Sequence, residues 1–411
     1  MSVRAARPPD FPVSAARPAG IPERAFEEAT MSYSEYFNAT HEEVRRTIRK
    51  IVAEHIAPHI NEWEEAGTFP RDLYKILGDA GISGIGYPEA LGGVAEGDVF
   101  MKIAASEELM RSGSGGLVAS LGSIDIGLPP IVKWGSEEMK QRVVPGVLAG
   151  DKIAALAITE PSGGSDVANI RTRAVSDGDH YRVTGSKMFI TSGIRADYYT
   201  VAVRTGGEGY GGISLLLMEK GMPGFTTGQP LKKMGWWASD TAELFFDDVK
   251  VPKSHLIGGE NAGFFVIMTN FQMERLNLAV MANMTAQLAL EECLRYVKER
   301  EAFGKPLGKM QVIRHKLADM ATQVEASREF TYRVAARIQA GIPSVKEVSM
   351  AKNFATRTSD YVTYEAVQIF GGMGFMRETL VERLYRDNRI LAIGGGTHEI
   401  MNEVIAKQLG L

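Results

Sequence analysis

Gln368 to Met401 reads QIFGGMGFMRETLVERLYRDNRILAIGGGTHEIM. Two glycine breaks divide it: the pair Gly371 and Gly372, and the run Gly394, Gly395 and Gly396, which leads straight into Thr397. A residue without Cβ lets a ligand come close to the backbone and leaves peptide N–H groups free to point at it. Three of them before a helix starting near Thr397 mark either a binding loop or a plain connection. This stretch alone does not choose between the two.

Working outward, the segments before this stretch are long and helical: Phe264 to Glu301, Gln311 to Ala340 and Val345 to Phe370, with a shorter pair after them. Such lengths with short connections predict an antiparallel four-helix bundle over 261–411. Further upstream the apolar period falls to two. Ile170 to Val175 and His180 to Gly185 flank the turn SDGD, and Tyr198 to Arg204, Ile213 to Glu219 and Glu243 to Val251 continue the pattern until Pro252. These short strands predict a compact barrel or sandwich over 153–260. Residues 33–152 return to helical spacing. Val44, Ile48, Ile51, Val52 and Ile56 form one stripe over Glu42 to His59, with Thr40 as its cap, and further helices are expected at Arg71 to Ala80, Asp98 to Arg111 and Ser136 to Leu148. The expected fold class is therefore multi-domain α+β: an N-terminal helical domain, a central β-barrel or sandwich domain and a C-terminal four-helix bundle. Residues 1–32 form an extension rich in Pro, Ala and Arg without apolar periodicity, which predicts disorder. Met31 is an alternative start, and a mitochondrial transit peptide competes with the disordered reading.

Composition sets bounds on function. Forty-six basic residues against fifty acidic ones give a formal net charge of -4, which offers no field for a nucleic-acid backbone. The single cysteine, Cys293, rules out an intrachain disulfide and fits a reducing compartment. No apolar run reaches the roughly 18 residues of a bilayer span, and no secretory signal pattern is present, so a soluble chain is expected. His55 and His59 have metal-ligand spacing but no third ligand nearby.

Three more segments carry chemistry: LAITEPSGGSD from Leu156, MFITSG from Met188 and REAFGKPLGKMQ from Arg300. Taken singly, each has a bland reading as a strand end, a turn or a helix end. Together with the C-terminal stretch, in this order and at these separations, they resemble the acyl-CoA dehydrogenase family from about Tyr33 to Leu411. The resemblance implies FAD as hydride acceptor, an acyl-CoA substrate converted to a trans-2-enoyl-CoA, and an electron-transfer flavoprotein as acceptor of the electrons. It also implies a homo-oligomer built as a dimer of dimers, in a bacterial cytoplasm, or in the mitochondrial matrix if residues 1–30 are a transit peptide.

Residue by residue, the resemblance places Thr159 and Thr191 at the isoalloxazine edge, Phe189 beside the ring and Leu156 and Ile158 against it, and gives Ser165 to both the cofactor phosphates and the acyl-CoA. Arg300, Phe303 and Gln311 match a segment that reaches the FAD of a neighbouring subunit. Gln368, Gly371 and Gly372 match its adenine-side contact, and Thr397 to Glu399 match a stretch touching the cofactor near the reacting atoms. Much of the family keeps its catalytic glutamate where this chain has Gly395. A smaller branch, with the isovaleryl-CoA and long-chain enzymes, supplies it from a C-terminal helix, and FQMERL offers Glu274 there. The resemblance then gives Arg275, Gln272 and Met273 to the substrate path. Gly395, with its neighbour Gly396, is matched to the substrate's carbonyl oxygen through the Gly395 backbone N–H. Two other readings stay open at this point: a flavin monooxygenase or oxidase on the same fold, and a non-catalytic acyl-CoA-binding relative. For Trp236 and Trp237, core packing and a wall of the electron-transfer surface are both open, and His398 is expected to be structural.

Overall fold

In the computed structural model residues 35–94 and 96–411 are described; the expectations for residues 1–32 lie outside them. The N-terminal helices run Ala39–Ile51, Ile60–Ala66, Asp72–Asp79, Val99–Met110, Gly115–Leu121, Ile124–Gly127, Pro129–Trp134 and Glu137–Leu148. The single helix expected over Glu42 to His59 is broken. A π-turn spans Val52–Ile56, where the Ala57 amide reaches back five residues to the Val52 carbonyl. Pro58 explains the break, because it has no N–H to continue the ladder. The cap is Asn38, not Thr40: the Asn38 side chain accepts from the amides of Thr40 and His41, and His41 Nδ1 accepts from the Asn38 amide at 2.9 Å. Gly115–Leu121 was hidden in sequence by the loop-like SGSGG and is started by Ser114 Oγ, which accepts from the Leu117 amide.

Eight strands follow: β1 (Ala154–Ala157), β2 (Arg173–Asp177), β3 (His180–Thr191), β4 (Tyr198–Arg204), β5 (Ile213–Glu219), β6 (Phe225–Thr227), β7 (Thr241–Pro252) and β8 (Leu256–Ile257). They form one sheet in the order β6-β7-β3-β2-β4-β5-β8, with β1 pairing parallel to β4. β2 and β3 join through the two-residue turn Gly178-Asp179, with Gly178 at φ +60°. β4 and β5 read as nearly continuous apolar runs because both faces are covered. Tyr199, Val201 and Val203 face the core shared with β3 and β7. Ala202, Leu215 and Leu217 pack under Leu128, Ile131, Val143 and Val144 of the N-terminal helices and Val266 and Ile267 of the first C-terminal helix.

Three long helices, Gly263–Glu299, Gln311–Gln339 and Val345–Phe370, then pack together, with the shorter Leu380–Asn388 against them and His398–Gln408 last. The helix starting at Gly263 lies so close to β5 that a Cβ there would sit 2.7 Å from the Ser214 carbonyl carbon, so its first residue must be glycine. It is apolar on most sides because the sheet, the N-terminal helices and its two long partners surround it. Among the described residues no single helix is long and apolar enough to cross a membrane. One bent pair, Gly115–Leu121 with Ile124–Trp134, passes on length and composition, and its Leu117, Leu121, Ile124, Leu128 and Ile131 are buried in the fold.

Candidate active site

The three regions meet around one cavity of about 1300 Å³. Its first wall is the end of β1 and the loop after it, with Leu156, Ile158, Thr159 and Ser165. The second is the end of β3, with Phe189 and Thr191. Here the pairing of β3 with β7 slips between Lys187 and Ile190. Phe189, at φ +61° in the slipped segment, is 60% exposed and turned to the cavity. Bulges commonly re-aim a side chain beside a site in this way.

Lys187 ties these two walls together. Fully buried, it donates to the Ile158 carbonyl at 3.0 Å and to Glu160 Oε1 at 2.8 Å. Glu160 also accepts from the amides of Arg171 and Thr172, and the Met188 amide donates to the Thr159 carbonyl. Burial pushes the Lys187 ammonium down to about 8 against the pull of Glu160. Burial also opposes the charge on Glu160, but Lys187 and the amide bonds prevail and hold its carboxyl below the ordinary range.

The third wall is made by the long helix, through Met273, Glu274 and Arg275, and by Gly395, Gly396 and Thr397 from the loop before the last helix. Gly395 and Gly396 have φ of +64° and +107°, conformations that only glycine adopts without strain. Arg275 is 4% exposed and donates from Nε to the Gly395 carbonyl at 3.0 Å, so it braces the loop rather than reaching outward. Glu274 stands beside it: a Cβ built on Gly395 would lie 3.6 Å from Glu274 Oε1 and 2.7 Å from Leu278 Cδ1. A side chain there would press on Leu278 and stand in ordinary contact with the carboxylate. Glu274 Oε2 is buried without a hydrogen-bond partner. Burial raises the Glu274 pKa to about 7, against the lowering influence of Arg275 and Lys352.

This chain matches three family models along its length, described as the N-terminal, middle and C-terminal domains of acyl-CoA dehydrogenase, over residues 38–151, 155–249 and 261–410. The chain belongs to the acyl-CoA dehydrogenase family. It is 40% identical to the mitochondrial long-chain specific acyl-CoA dehydrogenase of Sus scrofa, over 91% of this chain and 87% of that protein. A probable acyl CoA dehydrogenase from Mycobacterium abscessus superposes with a TM-score of 0.89 at 52% identity, over 91% of this chain and all of the other. An acyl-CoA dehydrogenase from Bacillus anthracis, solved in complex with FAD, superposes with a TM-score of 0.86 at 30% identity, over 91% of this chain and 68% of that one. The activity is FAD-dependent dehydrogenation of an acyl-CoA.

The residues fit that cofactor. The cavity exceeds the roughly 300–1,000 Å³ usual for one drug-sized ligand, which leaves space for a cofactor and a second molecule. An aromatic and two threonine hydroxyls cluster at the walls that Lys187 joins. The remaining residues singled out from the acyl-CoA dehydrogenase resemblance lie elsewhere. Gln272 is on the same helix but does not line the cavity, since it is turned about 200° from Glu274. Arg300, Phe303, Gln311, Gln368, Gly371, Gly372 and Glu399 are exposed and also outside the cavity wall.

Trp236 is a cavity residue, at φ +57°, its amide donating to Asp387 Oδ1 at 2.6 Å. Trp237 is held between the guanidinium groups of Arg377 and Arg386, at 4.1 and 3.7 Å from its ring. His398 Nε2 is hydrogen-bonded to Thr356 Oγ1 at 2.7 Å, tying the last helix to Val345–Phe370. Sequence reasoning overlooked Lys187, Glu160 and Lys352. For Lys352 a signal existed: it interrupts the buried stripe Val348, Ala355, Ser359 and Val362 at helical spacing.

Proposed function

We propose that Glu274 is the base of this acyl-CoA dehydrogenase. The observation that carries the reading is its carboxylate beside Gly395 on the cavity wall, with one oxygen enclosed and unpartnered and the pKa raised to about 7 by burial. A lone pair that no donor occupies can accept a proton, and a pKa near the working pH is what general-base catalysis favours. Glu274 takes the Cα proton of the bound thioester, and the electron pair left behind moves toward the thioester carbonyl oxygen. Backbone N–H groups of the glycine loop, that of Gly395 first, stabilise the negative charge forming there. FAD supplies the hydride acceptor for Cβ. A trans-2-enoyl-CoA results.

Thr159, Thr191, Phe189, Leu156 and Ile158 would hold the flavin ring, Ser165 the phosphates and the acyl-CoA, and Thr397 the side near the reacting atoms. Met273 and Gly396 would line the substrate's path. Arg300, Phe303, Gln311, Gln368, Gly371 and Gly372 would complete a neighbouring subunit's FAD site. Support comes from their exposure together with apolar neighbours: Phe303 is 95% and Phe375 84% exposed, surfaces that a monomer seldom leaves to water. The assembly in this reading is a dimer of dimers, electrons leave to an electron-transfer flavoprotein, and the compartment is a bacterial cytoplasm. A panel of straight and branched acyl-CoAs, scored by loss of oxidised-flavin absorbance without air, tests the reaction. No bleaching with any thioester would overturn it.

A further inference from the structure

Lys352 lies in Val345–Phe370 and is fully buried. Among the described residues the one hydrogen bond of its ammonium goes to the Gly396 carbonyl, at 2.7 Å. Arg275 takes the carbonyl of the preceding peptide, Gly395. In a trans peptide the C=O and the following N–H point in opposite directions. The amides of Gly396 and Thr397 therefore face away from the two cations, and no backbone carbonyl among the described residues accepts from either. Both residues line the cavity.

The same lysine flanks the carboxylate. A Cβ on Gly395 would lie 3.7 Å from Lys352 Cε and 3.6 Å from Glu274 Oε1, so ammonium and carboxylate border one glycine without being hydrogen-bonded to each other. We propose that Lys352 is a positioning residue of the dehydrogenation: it sets the direction of the Thr397 amide facing the cavity, and it places a fixed positive charge beside Glu274 without occupying the oxygen that must accept the proton. The inference rests on Glu274 being the base.

The groups facing Lys352 are Glu274 and Arg275 from the long helix and His398 from the last one. Burial, with Arg275, pushes Lys352 down to about 8 while Glu274 pulls it back up. The charge is thus present at neutral pH and is lost as pH rises through about 8. Burial holds Glu274 at about 7, with Arg275 and Lys352 opposing it. The rate of flavin reduction should rise along an acid limb set by Glu274 and fall along an alkaline limb set by Lys352.

The test is the pH profile of single-turnover flavin reduction in FAD-loaded enzyme by palmitoyl-CoA, or by whichever panel thioester bleaches the unaltered enzyme fastest. Lys352→Gln keeps a donor for the Gly396 carbonyl and removes the charge. Its acid limb should move up by about one pH unit, and its limiting rate should fall about tenfold. Lys352→Arg keeps the charge, so its acid limb should stay in place and its alkaline limb should disappear. If Lys352→Gln does not retain FAD, the Arg variant decides alone, and an alkaline limb that persists in it overturns the proposal. Wild-type limbs and rate in the Gln variant, with only a lowered melting temperature, would reduce Lys352 to a strut. Full activity in Glu274→Gln would instead overturn the base assignment, whatever the lysine variants do.

Discussion

Two fully buried lysines lie beside residues of one cavity wall, Lys187 beside Glu160 and Lys352 near Glu274, and the chain uses them in opposite ways. Lys187 donates directly to Glu160, which also accepts two backbone amides, so the carboxylate is held ionised below its ordinary range. Lys352 spends its hydrogen bond on the Gly396 carbonyl and leaves Glu274 with an enclosed, unpartnered oxygen and a pKa raised to about 7. Both places remove charge from water, at a cost of several kcal/mol per ion before compensation. At Glu160 the compensation is nearly complete and the group is inert. At Glu274 it is incomplete, and in the proposed mechanism the residual free energy is what suits the carboxylate to take a proton. Residue types are alike, and hydrogen-bond partners separate a strut from a carboxylate left free to take a proton.

The largest effect expected from this contrast is on rate. Glu274→Gln removes the proton acceptor and keeps the volume, so flavin reduction should fall by about 10³–10⁴-fold while the purified protein stays yellow. A variant that still bleaches at the wild-type rate ends the comparison. Lys187→Met probes the other side. It strands Glu160 in the interior, where breaking one partner of a buried pair costs about 3–5 kcal/mol. The expected readouts are a lower urea midpoint and loss of FAD on gel filtration, since the loop bearing Thr159 loses its tie to β3. Retention of FAD and of the midpoint would show that Glu160 does not need its partner.

The contrast also has a sign in pH. The Glu274 carboxyl is raised in the folded state, so its contribution to stability is fully present below 4.5 and is lost as pH rises through about 7. That interval corresponds to about 3 kcal/mol at most. Glu160 is lowered, so its contribution is present at neutral pH and is lost as pH falls through its folded value. In urea unfolding, the stability of the parent relative to Glu274→Gln should decrease from pH 5 to pH 8, and relative to Glu160→Gln it should hold above pH 5 and decrease as pH falls below 4.5. Parallel trends for the two variants would mean that the two carboxylates are not opposites.

Much of this was legible in the residues. Strands such as Tyr198–Arg204 and Ile213–Glu219 and the helix Val345–Phe370 were readable to the residue, because their apolar runs are long and bounded by turn residues. The N-terminal break was missed although Pro58 announces it, because the apolar stripe continues through it. Glu274 could be singled out because Gly395 and Glu274 depart from the commoner family pattern together. The environment of that carboxylate could not be read. It depends on which neighbour Lys352 bonds, a choice made across 44 residues of chain between two helices. Arg300, Phe303 and Gln368 lie on the surface of the single chain, and their proposed place at a second subunit's cavity is not something one chain's fold can display.

The smallest effect probes why the proposed base sits on the helix at all. Gly395→Ala places a methyl 2.7 Å from Leu278 Cδ1 at φ +64°, which costs about 1–2 kcal/mol in backbone strain, with Leu278 able to turn aside at some further cost. The added carbon stays 3.6 Å from Glu274 Oε1, an ordinary contact, so the carboxylate need not move. The melting temperature should therefore fall by a few degrees, with a loss of flavin reduction well below that of Glu274→Gln. Installing the commoner arrangement, Gly395→Glu on the Glu274→Gln background, meets the same strain and the same leucine with a longer side chain. It should regain only a small part of the lost rate, and relief of the contact by Leu278→Ala should raise that part. Recovery to near wild-type without the leucine change would mean that loop and helix are interchangeable platforms for the proposed base, and that Leu278 is no obstacle to a side chain at 395.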